Sequence, residues 1–171
     1  AALFWCTVLE AQNRELLGEF KIGFVGRDQE NVIYQAAQEG AQAAALELSK
    51  KYSIDIEVVI YTPDKTLGGS QMNSLAELFI KDADGLIISP EKTEAVGASI
   101  DFALLQGQEV VFFESQLSDR ESLTSVLADE LEAGRLAGRS ILSKLPTKAR
   151  VAILTSATPS AKLEQRMTGL R

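Results

Sequence analysis

Hydrophobic residues along this chain fall into short runs, and most runs are followed by a stretch with helical periodicity. The runs are rich in Val, Ile and Phe and are short enough to be buried strands. They cover residues 21–26, 54–61, 85–89, 109–114 and 150–156. Strands that alternate with helices predict a parallel sheet with helices on both faces and right-handed crossovers. The pattern therefore predicts an α/β fold with a doubly wound, flavodoxin-like sheet.

The stretch after the first strand shows the helical period most clearly. Its apolar residues recur every three or four positions, which predicts an amphipathic helix covering the sheet. The predicted buried face is Tyr34, Ala37, Ala41, Ala44 and Leu48. Two further helices are predicted over residues 71–82 and from Pro90 to residue 107, where a glycine ends the pattern.

The regular alternation stops after the fourth strand. An irregular connection leads to Asp129, which with Glu132 forms a start resembling a capping box for the next helix. We therefore place a domain boundary near residues 124–128. The first α/β lobe is predicted over residues 21–125, and residues 126–171 are predicted to begin a second, similar lobe.

The first twenty residues form an N-terminal extension that has two interpretations. "AALFWCTVL" is too short for a membrane span but has about the length of the end of a secretory h-region, with Ala11 before a possible cut. The alternative is a helix or edge strand that packs on the domain. Cys6 has Trp5 where a bacterial lipobox needs a small residue, so we expect only a small apolar side chain there.

Composition excludes several kinds of chemistry. The chain has 171 residues and a net charge of −7, contains no histidine and has a single cysteine. Imidazole-based catalysis, histidine zinc sites and disulfide frameworks therefore lack their residues. A nucleic-acid partner is not expected because the sequence has no clustered basic face. We expect no metal, no cofactor and no enzymatic activity, although a mechanism using carboxylates alone remains open.

Ligands of open α/β sheets bind beyond the carboxyl ends of the strands. Gly23 and Gly26 lie inside the first strand, so we expect close-packing positions there and no phosphate-binding loop. "RDQEN" also places two acids where an anion would bind, which disfavours a flavin or nucleotide enzyme. The strand-end residues are Arg27, Asp28, Asn31, Tyr34, Thr62, Asp64, Ser89, Glu91, Glu114, Ser115, Gln116, Thr155 and Thr158.

Four segments, in order, give the sequence a family resemblance. They are "KIGFVG…NVIYQAAQEGAQAAA", "DADGLIISPEKTEAVGASIDFALLQGQEVVFFES", "ADELEAGRLAG" and "VAILTSATPSAKLEQRMTGLR". Together they resemble the type I periplasmic binding proteins of the ribose-binding and galactose-binding kind, which share their fold with the ligand cores of LacI-type repressors. The resemblance covers residues 21–171.

The resemblance implies a function as well as a fold. It implies two lobes joined by a hinge, which clamp a small hydroxylated ligand such as a sugar or polyol. It also implies an extracytoplasmic protein that delivers its ligand to the permease of an ABC-type transporter. The alternative within the same fold is a ligand-sensing input domain of a signalling or transcriptional regulator.

The family pattern implies ligand-binding residues, but this sequence departs from it. Asn31 and Tyr34 match a ligand-binding asparagine and a ring-stacking aromatic residue. Glu114 and Ser115 stand where the family has Asp followed by Arg, and Glu164 stands in place of an arginine. The full set of expected ligand-binding residues is Asp28, Asn31, Tyr34, Glu114, Ser115, Gln116, Asp129, Glu130 and Glu164.

The loss of two guanidiniums suggests a changed ligand preference, since Ser and Glu cannot replace a planar donor. Glu30, Glu114, Glu130 and Glu164 would make the site acidic, which favours a polyol, an amino sugar or another cationic solute. Local roles are the alternative for three residues. Asp28 and Asn31 could cap the following helix, and Tyr34 could belong to its packed face.

Overall fold

The structure is a computed structural model that describes residues 16–80, 83–146, 148–157 and 160–171. The chain divides into two compact units, with the division between Val126 and Leu127. The two units are described separately. The expected N-terminal extension lies largely outside the described residues, but Glu19 and Phe20 at its end belong to the first strand.

The first unit is built on a parallel sheet of five strands. In chain order they are β1 (Glu19–Val25), β2 (Asp55–Ile60), β3 (Gly85–Ile88), β4 (Glu109–Phe113) and β5 (Thr124–Val126). Their order in space is β2-β1-β3-β4-β5, and every pairing is parallel. This arrangement confirms the predicted doubly wound α/β sheet.

Three helices connect the strands of this unit. They are α1 (Val32–Tyr52), α2 (Gln71–Ile80) and α3 (Glu94–Leu105), with a short 3-10 helix at Lys65–Leu67 before α2. The helix α1 packs against β2, whereas α2 and α3 pack against each other, α2 on β1 and α3 on β4. The helix α3 begins after its cap, Thr93, and does not begin at Pro90 as predicted.

An apolar core lies between the sheet and the α2–α3 pair. Its fully buried members come from β1, β3, β4 and both helices and include Val25, Leu75, Ile88, Ile100 and Val110. Gly23 faces this layer, and a Cβ at that position would collide with the side chain of Leu78. Gly23 is therefore a close-packing glycine, as predicted.

The register of the sheet brings three strand ends to one place. Val25 of β1 is level with Ile88 of β3, and Ile88 is level with Phe112 of β4. Because parallel strands end at the same edge, the residues that follow β1, β3 and β4 lie side by side.

Two strand predictions were wrong, and both errors concern pairing. The short β5 was predicted as part of an irregular connection, yet its backbone pairs with the open edge of β4. Residues 150–156 were predicted as a strand, but the structure shows no strand there. The described part of residues 127–171 contains no strand that could form a ladder with them.

The buried face of α1 also differs from the prediction. Tyr34 and Ala45 are its buried residues, whereas Ala44 and Leu48 are exposed. The predicted positions are about 3.5 residues apart on average, whereas a helix has about 3.6 residues per turn, so over 21 residues the contact line moves by one position.

The second unit is described as two helices, α4 (Glu130–Leu142) and α5 (Ala161–Leu170). Glycines allow their backbones to approach closely. A Cβ on Gly134 would collide with the carbonyl of Arg166, and one on Gly169 would collide with the carbonyl of Leu131.

Candidate functional site

A polar cluster joins the carboxyl ends of β1, β3 and β4 in the first unit. The guanidinium of Arg27, after β1, forms an ion pair with the carboxylate of Glu114, after β4. The hydroxyl of Ser89, after β3, donates a hydrogen bond of 2.9 Å to Glu114 Oε2. Arg27 Nε donates to the hydroxyl of Tyr34 at 2.7 Å. We call Arg27, Tyr34, Ser89 and Glu114 the strand-end cluster.

The cluster is half-buried, so its charged groups are still accessible to a ligand. Side-chain exposure is 32% for Arg27 and 29% for Glu114, while Ser89 is fully buried and Tyr34 nearly so. The Tyr34 hydroxyl also donates to Glu114 Oε2 over 3.5 Å. Several donors thus converge on one carboxylate oxygen at the surface of the sheet edge.

Glu114 has an unusual backbone conformation. Its φ of 59° lies in the left-handed region, which is uncommon for a residue with a side chain. The next residue, Ser115, closes a tight turn by a hydrogen bond from its N–H to the carbonyl of Phe113. Such strain costs on the order of 1–3 kcal/mol and concentrates at functional sites. In this backbone conformation the carboxylate of Glu114 faces Arg27 at the end of β1.

Aromatic rings form the floor beneath the cluster. The ring of Phe113 packs edge-on against Tyr34, with centroids 6.1 Å apart, and lies 5.1 Å from the ring of Phe24. The guanidinium of Arg27 lies 5.7 Å from the centroid of the Tyr34 ring. These contacts fix the ring of Tyr34 and leave its hydroxyl to bond Arg27.

The loop that follows β1 is also bound to the end of β2. The N–H of Gly26 donates to Thr62 Oγ1 at 2.8 Å, and Gln29 Nε2 donates to the carbonyl of Thr62 at 2.7 Å. A Cβ on Gly26 would press on Thr62 and on Cβ of Tyr34, so this glycine is a close-packing position, as predicted. A hollow of about 430 Å³ opens beside it, lined by Gln29, Tyr34, Gln35, Gln38, Ile60 and Thr62.

Asp28 and Asn31 have the local roles that the sequence left open. Asp28 Oδ1 accepts from the N–H of Glu30 at 3.1 Å, and Asn31 Oδ1 accepts from the N–H of Ile33 at 2.9 Å. Asn31 is the N-cap of α1. Both side chains order the turn between β1 and α1 and lie outside the strand-end cluster.

Ser115 and Gln116 follow Glu114 but lie apart from the cluster. Ser115 is buried, with 4% exposure. Gln116 is exposed and lines a different hollow of about 210 Å³, together with Lys92, Glu94 and Arg120. Tyr34 and Glu114 are thus the two predicted site residues of this unit that the structure brings together.

The other predicted residues belong to the second unit. Asp129 is the N-cap of α4, where its Oδ1 accepts from the N–H of Glu132 at 2.8 Å. Glu130 is buried and forms an ion pair with Arg166 of α5, whose Nε donates to it at 2.7 Å. Glu164 is exposed in the first turn of α5. Glu130 therefore ties the two helices together.

Three residues of the sheet edge were not assigned to the site from the sequence. Arg27 and Ser89 were noted only as strand-end residues, and Gln71 was placed in a helix without a role. The signal for Arg27 and Ser89 was their position directly after β1 and β3, beside Glu114. Gln71 gave no comparable signal, because only the folded structure shows what its amide contacts.

The described residues set limits on other kinds of site. Among them, no group of three or more Cys, Asp and Glu is arranged to hold a metal ion. None of the helices within the described ranges is long and apolar enough to cross a membrane.

Open α/β domains with a parallel sheet bind their ligands beyond the carboxyl ends of the strands, which is the edge where the polar groups after β1, β3 and β4 lie. The family model "Periplasmic binding protein domain" matches residues 22–171, and the chain belongs to that family. This confirms the resemblance to the type I periplasmic binding proteins.

Particular relatives support the same assignment. The chain is 24% identical over 151 residues to "Ribose import binding protein RbsB" of Bacillus subtilis (strain 168), covering 88% of this chain and 47% of that protein. It therefore spans about half the length of this curated relative.

Two solved structures share the fold. The arabinose binding protein AraP from Geobacillus stearothermophilus superposes with a TM-score of 0.72 and 21% identity, covering 88% of this chain and 50% of that one. The fructose binding periplasmic domain of the hybrid two component system BT1754 superposes with a TM-score of 0.62 and 22% identity, covering 88% and 48%.

Proposed function

We propose that this chain is part of an extracytoplasmic solute-binding protein whose strand-end cluster binds a small, neutral, hydroxylated ligand. The observation that carries the proposal is the convergence of Arg27, Ser89 and Glu114 at the ends of three adjacent strands. A hydroxyl both donates and accepts, so it can bond the carboxylate and the guanidinium at once. The function requires binding groups and no chemical step.

The charge balance of the cluster supports a neutral ligand. The sequence led us to expect an acidic site that favours a polyol, an amino sugar or another cationic solute. In the structure, however, Glu114 has Arg27 as its partner. The charge of this carboxylate is compensated within the cluster, so the cluster itself gives no reason to expect a cationic solute. A polyol or an uncharged sugar matches the paired donors and acceptors better than an amino sugar.

The test compares ligands that share one ring and differ in charge. Calorimetry and thermal unfolding would be measured with D-galactose, D-galactosamine and D-galacturonate, and with the neutral solutes D-ribose, L-arabinose, D-fructose and glycerol. We expect at least one neutral solute to bind and to raise the Tm, since a ligand at 100 times its Kd stabilises by about 2.7 kcal/mol. Binding of the charged sugars alone would contradict the proposal.

A pair of variants assigns the binding to the cluster. Glu114→Gln removes the charge at the end of β4, whereas Glu109→Gln removes an exposed charge at its beginning. We expect Glu114→Gln to weaken binding of the neutral solute and Glu109→Gln to leave it unchanged. Equal effects of the two substitutions would show that the ligand binds elsewhere.

The two candidate functions differ in the partner protein that recognises the ligand-bound form. Delivery of the ligand to an ABC-type permease is the role we propose first, because the curated relative is a ribose import binding protein. The fold similarity to a periplasmic domain of a two component system favours a sensing input domain as the alternative. Cross-linking of the ligand-loaded protein to membranes of its host distinguishes them, since one role recovers a permease and the other a sensor kinase.

A further inference from the structure

We infer that Gln71 is a positioning residue for the strand-end cluster, an inference that rests on the proposed solute-binding function. Gln71 is the first residue of α2 and is fully buried. Its Nε2 donates to the carbonyls of Gly26 at 2.9 Å and Ser89 at 2.7 Å. Its Oε1 accepts from the N–H of Glu91 at 2.8 Å. One side-chain amide thus bonds three backbone groups.

These backbone groups lie where the sheet ladder ends. The pairing of β1 with β3 ends at Val25 and Ile88, followed by one hydrogen bond from the N–H of Ser89 to the carbonyl of Val25. Beyond that point, the side-chain amide of Gln71 forms hydrogen bonds to the backbone that follows β1 and to the backbone that follows β3. A buried carbonyl without a donor destabilises the fold, so the amide holds the two strand ends together.

The two strand ends carry partners of Glu114. Gly26 directly precedes Arg27, whose guanidinium pairs with Glu114. Ser89 donates its own hydroxyl to Glu114 Oε2. Gln71 acts on the cluster through the backbone of these residues, and it is therefore a positioning residue.

The chemistry of glutamine suits this position. A primary amide provides two N–H donors and a carbonyl acceptor in one plane, which matches two carbonyls and one N–H. Methionine has a similar length but offers no donor. An ionised glutamate would set a carboxylate against two carbonyl oxygens, so its unprotonated form cannot replace the amide.

The first experiment follows the Nε–H of Arg27 by ¹H–¹⁵N NMR, with the signal assigned through Arg27→Lys. Gln71→Met is compared with Gln108→Met, since Gln108 is a partly buried amide that bonds the carbonyl of Ala83 near the opposite end of the sheet. We expect Gln71→Met to shift the Arg27 signal or to lose it by exchange with water, and Gln108→Met to leave it in place. An unchanged signal in Gln71→Met would overturn the inference.

A second variant keeps the test decisive if Gln71→Met does not fold. In Gln71→Glu the introduced carboxyl is buried against carbonyls, which favours its neutral form. Protonation restores one donor and one acceptor. Between pH 7.5 and 5.5 we expect the Arg27 signal of Gln71→Glu to move toward that of the unmodified protein at the same pH. An Arg27 signal of Gln71→Glu that coincides with that of the unmodified protein at every pH in this range would contradict a positioning role.

Ligand binding gives a separate outcome. If none of the neutral solutes binds the unmodified protein, the proposed function fails, while the Arg27 signal still tests Gln71. If L-arabinose or another of these solutes binds, we expect Gln71→Met to raise its Kd by about tenfold or more, since small misplacements weaken binding strongly. An unchanged Kd in Gln71→Met, with Gln108→Met as the reference, would overturn the inference.

Discussion

The guanidinium of Arg27 and the carboxylate of Glu114 form an ion pair across 87 positions of sequence. The two residues follow β1 and β4, and β3 lies between these strands. Ser89 at the end of β3 donates to the same carboxylate. The pair is therefore bound to all three central strands of the sheet, at the carboxyl ends where parallel α/β sheets bind their ligands.

The ion pair should be measurable by a double-mutant cycle. Arg27→Met and Glu114→Gln each remove one partner, and the double variant removes both. Because each side chain is about one-third exposed, we expect a coupling free energy of about 1 kcal/mol in urea unfolding. Strictly additive effects would show that the pair contributes nothing to stability.

The left-handed backbone of Glu114 predicts an order of stability between two variants. Glu114→Ala and Glu114→Gly both remove the carboxylate, and they differ in their tolerance of a φ of 59°. We expect the glycine variant to be more stable by about 1 kcal/mol, because glycine adopts this conformation without a steric penalty. The comparison uses the midpoint of urea unfolding. An alanine variant of equal or greater stability would show that the native backbone is not strained.

The same substitution should have opposite effects at two helical glycines. Gly134→Ala places a methyl group against the carbonyl of Arg166, whereas Gly40 in α1 has nothing within 4 Å of its added Cβ. We expect Gly134→Ala to destabilise the α4–α5 pair by about 1–3 kcal/mol. We expect Gly40→Ala to stabilise by about 0.5–1 kcal/mol.

Hydrogen exchange of the helix amides measures both glycine variants, since it reports each helix separately. Protection should fall in α4 and α5 of Gly134→Ala and rise in α1 of Gly40→Ala. Unchanged or increased protection in α4 and α5 of Gly134→Ala would contradict the close approach of the two backbones.

The lowered pKa of Asp64, near the end of β2, predicts that the stability of the fold depends on pH. The hydroxyl of Thr66 holds the pKa of Asp64 below its ordinary value of 3.8, and the N–H groups of Thr66 and Leu67 act in the same direction. A carboxyl with a lowered pKa stabilises the fold above its ordinary pKa, and this contribution is lost as the pH falls through the folded value.

Removing the hydroxyl should raise the pKa of Asp64 toward 3.8, because the largest cause of the shift is then gone. Thr66→Val makes this change with little change in side-chain volume. A ¹³C titration of the carboxyl resonance between pH 2 and 6 measures it directly. The same titration curve in both proteins would show that Thr66 does not control this group.

The sheet was largely predictable because its central strands are apolar runs. β3 and the second halves of β1 and β4 are buried or half-buried on both faces, so their hydrophobicity alone marks these strands. β5 has the sequence "TSV" and carries no such mark. It forms because β4 offers an unpaired edge. Residues 151–156, "VAILTS", are apolar but form no strand. Hydrophobicity without a neighbouring strand among the described residues does not make a ladder.

The part of the candidate site that could be predicted is Glu114, because its charge conflicts with the apolar residues before it. Glu114 directly follows "VVFF", and a charge in that place needs a partner. Its partner Arg27 lies in a polar turn, where a charged residue normally faces water. Gln71 opens an amphipathic helix and causes no conflict with the pattern. Both residues gain their roles from contacts between segments that are distant in sequence.

The position of β3 between β1 and β4 also fixes when the binding site can first exist. During synthesis β1 is made first and its neighbour β2 follows, but its other neighbour in the sheet, β3 at Gly85–Ile88, is made some sixty residues after β1. Glu114 follows only after α3 and β4. Pairings between distant segments form late in folding, because a long loop must close first. Solute binding by a nascent or refolding chain would therefore report that the centre of the sheet is complete.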